Sequence, residues 1–139
     1  GSAALFQSVK VSVRDSTFEH CRSFATFDSC TAPFAYGGAV SAYGHSGGSR
    51  VLSVVRSAFR NCQAMLGGGI WTHSQSCSVE ESAFTNCSAL RSGGAMNSQN
   101  ANTVSVARSN FTACFVDGAD HGSGQVNSIV GPSSPETVV

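Results

Sequence analysis

The stretch Ser53-Val54-Val55-Arg56-Ser57-Ala58-Phe59-Arg60-Asn61-Cys62 decides how this chain is read, because it returns. The phrase Ser-Val-x-x-Ser-x-Phe-x-x-Cys also runs from Ser12 to Cys21, Ser78 to Cys87 and Ser105 to Cys114. Successive copies begin 41, 25 and 27 residues apart. A short phrase with fixed apolar slots at such intervals marks a solenoid, in which each unit can bury its apolar face only by stacking on the next. Within the phrase, Val11/Val13, Leu52/Val54, Cys77/Val79 and Val104/Val106 sit two apart with small or polar residues between. That period of two is a strand with one face inward.

Ser16, Ser57, Ser82 and Ser109 read as corners, where a short hydroxyl can bond nearby backbone. The column Phe18, Phe59, Phe84 and Phe111 then re-enters the core. A second half-phrase follows each copy: Gly37-Gly38-Ala39-Val40, Gly67-Gly68-Gly69-Ile70, Gly93-Gly94-Ala95-Met96 and the weaker Ser123-Gly124-Gln125-Val126. Paired glycines suit a corner that needs positive φ or close approach of a neighbouring coil. Each unit is therefore expected to run strand, turn, short strand, glycine corner, strand. Stacked about 4.8 Å apart, such units make an all-β, right-handed parallel β-helix of about four to five coils. Leucine-rich repeats need more than the four leucines present, and no stretch keeps a helical 3.6-residue period.

The coils are expected near 10–49, 50–75, 76–102 and 103–131, within a repeat segment spanning 1–131, with 132–139 a polar tail or linker. The long first interval comes mostly from Arg22 to Tyr36, which holds Phe24, Phe27, Phe34, Tyr36 and Cys30. This insertion is either a lid folded over the first coil or a binding loop. His45 to Ser49 is a smaller one.

Charge narrows the function classes. Eight basic and eight acidic residues give a net charge of zero, so there is no electrostatic footprint for nucleic acid. No apolar run nears the ~18 residues that span a bilayer, so membrane insertion by this segment is not expected. Gly1-Ser2 reads as a cloning remnant, and the chain as a piece of something longer, packed against other domains of the same larger protein. Asp15, Glu81, Arg56 and Arg108 share one column and alternate in sign, which would fix register between coils.

Cys21, Cys62, Cys87 and Cys114 fill one slot of the repeat, and Cys77 fills a valine slot; only Cys30 lies outside the framework. A buried ladder of thiols and a Cys21–Cys30 disulfide both remain open. Metal ligation would call for close pairs such as Cys-x-x-Cys, which are absent. Neither a metal nor a cofactor is expected. Asn61 and Asn86 share a column suited to an amide ladder, while Asn86 and Asn110 each head a glycosylation sequon.

A carbohydrate-active β-helix enzyme, lyase or hydrolase, needs two or three converging acidic groups, or a calcium with a basic partner. Asp117 and Asp120, beside His121, are the only acidic cluster placed in a loop, and no nucleophile or phosphate motif occurs. An ice-binding solenoid would need a regular threonine array, which the outward columns lack. The better candidate is a surface. Outward positions after the inward Val40, Ile70, Met96 and Val126 are Ser41, Trp71, Asn97 and Asn127, then Tyr43, His73, Gln99 and Ile129. Tyr43, Trp71, His73 and Asn97 side by side would suit stacking a sugar or docking a protein, unless a loop or neighbouring domain covers them.

The strings Phe59-Arg60-Asn61-Cys62-Gln63-Ala64 with Gly68-Gly69-Ile70, and Phe84-Thr85-Asn86-Cys87-Ser88-Ala89 with Gly93-Gly94-Ala95-Met96, resemble the repeat of the chlamydial polymorphic outer-membrane proteins, found also in surface proteins of other bacteria and of protists. The likeness covers most of residues 10 to 130, although Cys stands where that family has its second Asn, and the carboxy-terminal barrel of an autotransporter is absent. It implies an extracellular, passenger-like β-helix used in adhesion or as a cell-surface stalk, without catalysis. The expected function is thus a structural or adhesion segment meeting a glycan or protein on a cell surface.

Overall fold

The computed structural model describes residues 4–6, 10–23, 36–43, 50–73, 76–99, 103–116, 127–130 and 136–138, with backbone alone at 4–6, 43, 127–130 and 136–138. These residues form four parallel sheets in register, the walls of a parallel β-helix. The valine wall stacks Lys10–Arg14, Val51–Val55, Ser76–Glu80, Thr103–Ala107 and Glu136–Val138. Next along the chain comes the phenylalanine wall of Thr17–Glu19, Ala58–Arg60, Ala83–Thr85 and Asn110–Thr112. A short wall follows, from Arg22–Ser23, Gln63–Leu66, Ser88–Ser92 and Phe115–Val116. The glycine wall, Ala4–Phe6, Val40–Tyr43, Ile70–His73, Met96–Gln99 and Asn127–Val130, closes each turn.

The short wall corrects the expected coil: four strands make a turn, not three. Its inward side chains are the small Ala64 and Ala89, both buried, so its sequence shows little alternation. The segment 132–139, expected to be a tail or linker, contains Glu136–Val138, which pairs in parallel with Val104–Val106. Among the described residues no helix is long and apolar enough to cross a membrane.

The core is a continuous shaft. Leu52 lies beside Val11 and Cys77, and Val54 beside Val13 and Val79, all buried. The phenylalanines stack ring on ring, with centroids 5.1 Å apart from Phe18 to Phe59, 4.6 Å from Phe59 to Phe84 and 4.9 Å from Phe84 to Phe111. Each pair is nearly parallel, the geometry in which stacked rings add about 0.5–1.5 kcal/mol beyond area burial. Cys77 is a core filler, as its slot requires, and burial pushes its thiol up to about 12.

The corners are sharper than hydroxyl turns. At the first, the left-handed residue is the charged one before each serine: Asp15, Arg56, Glu81 and Arg108 have φ of 47–51°. At the second it is His20, Asn61, Asn86 or Ala113. A non-glycine residue there costs roughly 1–2 kcal/mol, and the interstrand ladder offsets this by running straight through the bend. Arg56 N–H donates to Glu80 O at 3.0 Å, and Glu81 N–H to Ala107 O at 3.0 Å. Each serine hydroxyl then donates to the carbonyl two residues back, while Ser57 N–H and Ser82 N–H donate to the next coil's Ser82 and Ser109 Oγ, each at 3.1 Å. At the glycine corner the two residues have separate duties. Gly67 supplies a φ of +64°, and a Cβ on Gly68 would lie 2.1 Å from Gly94 O, so the neighbouring coil occupies that space.

Candidate functional site

The glycine wall positions the residues singled out for binding. Register places Trp71 between Ser41 and Asn97, and Tyr43 beside His73. In the last coil the register differs by one residue from the expected alignment: Asn127 pairs with Met96 and Ser128 with Asn97. The weak match at Ser123-Gly124-Gln125-Val126 lacks the double glycine of the other copies, and Asn127 stands at the register position of Met96, not of Asn97.

Trp71 does project from the outer side of the wall, yet it is only 4% exposed. Tyr36, from the end of the first-coil insertion, stacks on it with centroids 4.6 Å apart and rings 26° from parallel. A parallel bridge from Tyr36 to Leu66 and the Gly37 N–H to Leu66 O bond at 2.9 Å hold that cover in place. The indole is thus the filling of a covered aromatic cluster, not an open stacking platform. His73 lies at its margin, half-buried and 6.4 Å from Trp71 between ring centroids. Burial, helped by the positive charge of Arg50, holds the imidazole below its ordinary pKa. Asn97 is fully buried; its Nδ2 donates to Ser92 Oγ at 3.1 Å, and its Oδ1 has no hydrogen-bond partner among the described residues. Trp71, His73 and Asn97 are therefore brought together, while the Tyr43 side chain lies outside the described residues. Cys30, His45, Asp117, Asp120 and His121 also lie outside the described residues, and the Cys21–Cys30 pairing with them.

No family model, curated protein or solved structure matches the chain.

The described carboxylates sit on corners and outer strands. Arg56 donates to both oxygens of Asp15, at 2.7 and 2.9 Å, and its guanidinium holds that carboxyl below the usual range. Arg108 contacts both Glu81, at 3.3 Å, and Glu80. The alternating column thus resolves into two successive ion pairs. An open groove of about 410 Å³ beside it is lined by Asp15, Arg56, Ser57, Ala58, Glu81 and Ala83, and both of its acids belong to those pairs. Among the described residues no group of three or more His, Cys, Asp or Glu side chains could hold a metal ion.

Both sequon asparagines are exposed. Asn86 Nδ2 donates to Asn61 Oδ1 at 2.8 Å, the amide ladder expected of that column. Asn110 and Thr112 both lie exposed on the last described strand of the phenylalanine wall, whereas Ser88, which completes the other sequon, is buried. A covering loop was one of the alternatives the sequence left open for this face; that Tyr36 is the covering residue was not legible, because the contact joins residues in separate coils.

Proposed function

We propose that this chain is a non-catalytic structural and adhesion segment of a larger extracellular or cell-surface β-helix protein. One observation carries this reading: the polar groups of the described coils are engaged with one another as architecture. The serine, asparagine and Arg–carboxylate columns bind coil to coil. The resemblance of Phe59 to Ile70 and Phe84 to Met96 to the polymorphic outer-membrane protein repeat supports the same placement. The margin of the covered cluster, with His73 beside the Tyr43 rung, is the contact point offered to a glycan or protein partner.

The test combines two assays on the purified chain. It should bind cells or a glycan array, and His73→Ala should weaken that binding while leaving the circular dichroism spectrum unchanged. A polysaccharide panel incubated with the chain should show no new reducing ends and no unsaturated products. Depolymerisation would replace the proposal with the carbohydrate-active alternative. Binding indifferent to both His73→Ala and Tyr36→Ala would remove the contact point.

A further inference from the structure

Cys21, Cys62, Cys87 and Cys114 stand in single file at the corner between the phenylalanine and short walls. Register pairs on either side of the bend, Glu19 with Arg60 and Arg22 with Gln63, Arg60 with Thr85 and Gln63 with Ser88, then Thr85 with Thr112 and Ser88 with Phe115, put the four on successive rungs. Neighbouring parallel strands lie about 4.8 Å apart, inside the Cα separation of about 4.4–6.8 Å that a disulfide spans. The thiols lean along the file as well as along their own strands. Cys62 Sγ lies 3.8 Å from Phe18 O in the preceding coil, and Cys87 Sγ 3.4 Å from Phe59 O. Register sets Cys21 beside Cys62 across this corner. All of these thiols are free. Access is graded: Cys62 and Cys87 are 0% exposed, whereas Cys21, at the first described rung, is partly exposed.

We propose that this file is a disulfide-forming modification site entered at Cys21, where a low-molecular-weight disulfide reacts and Cys62 resolves the adduct into a bond joining the first two coils. In the first step the Cys21 thiolate attacks one reagent sulfur, the reagent S–S bond breaks, and half of the reagent leaves as a thiolate. In the second, the Cys62 thiolate attacks the Cys21 sulfur, the bond to the remaining half breaks, and that half leaves as a second thiolate. Two protein thiols lose two electrons and two protons, and the reagent disulfide is reduced to two thiols. The acidities order the two steps: the entering attack, at a thiol whose thiolate is scarce, is the slow one and quickens as pH rises, and the resolving attack is the fast one. Burial pushes Cys21 up, while hydrogen bonding from Cys87 draws Cys62 down to about 7, so the resolving sulfur is readily deprotonated near neutral pH. Cys77, buried in the valine wall beside Leu52 and Val104, takes no part.

The experiment treats the full chain at pH 7.5 with oxidised glutathione, alkylates with iodoacetamide, and maps linkages by mass spectrometry after cleavage at Arg and Glu. The expected result is a peptide pair joined through Cys21 and Cys62, with the free-thiol count falling by two. Cys62→Ala should leave Cys21 carrying one stable glutathionyl group, and Cys77→Ala should behave as the parent chain. A Cys21–Cys30 linkage, an unmodified Cys21, or equal glutathionylation with and without Cys62 would overturn the proposal. Should Cys62→Ala fail to fold, the linkage map of the parent chain decides alone.

Discussion

Ser82 shows how much one hydroxyl can hold in this architecture. Its Oγ donates to Glu80 O and accepts the Ser57 N–H, so Ser82→Ala strands a buried backbone donor. The expected loss is about 1–3 kcal/mol, read as a lower urea midpoint at constant m-value. Ala113 tests the opposite sign. It is exposed and held at a φ of 52°, so Ala113→Gly removes left-handed strain and should stabilise by on the order of 1 kcal/mol in the same assay. His73 provides the pH handle. Its folded-state pKa is below the ordinary 6.5, so as pH falls below that value the unfolded chain takes up the proton first. The stability His73 contributes is present above pH 6.5 and is lost as pH falls toward the folded-state value. The melting temperature should therefore drop between pH 7.5 and 5, and less steeply in His73→Gln; equal slopes would refute the burial account.

Strands and corners explain which parts of the molecule could be read in advance. The valine wall and the phenylalanine column were legible because large apolar residues recur at fixed offsets, and the glycine corner because the backbone there tolerates no substituent. Gly68→Ala, which would force Cβ against Gly94 O, should abolish folding or reduce it drastically in a thermal melt. Phe59→Ala, inside the stack, should cost about 3–5 kcal/mol, and Phe18→Ala, at a partly exposed rung, distinctly less. The short wall escaped notice because its strands run to two residues at either end of the stack, too few for a period to show. The first corner was read at its serine, one residue past the left-handed position, because Asp, Arg and Glu stand there and not glycine; at the second, Asn61 and Asn86 were the signal. Candidate site residues were legible as a column, while the choice between an open and a covered face was not. Whether an outward indole meets solvent depends on a segment from another coil, and no local pattern encodes that.

Across the whole molecule, stability should be graded from coil to coil, since each unit touches only its neighbours. Hydrogen exchange should be slowest in Val51–Val55 and Ser76–Glu80, which are paired on both sides, and faster in Thr17–Glu19 and Asn110–Thr112, which edge their sheet. Uniform protection would mean a single cooperative unit. The Asp15–Arg56 and Glu81–Arg108 contacts carry a further consequence for how such a chain can grow. Copying one winding would set two like charges against each other at a bend already under strain, whereas copying two preserves the order of signs. Tandem duplication is thereby steered toward even steps, and the inheritable brick of this fold is a couplet.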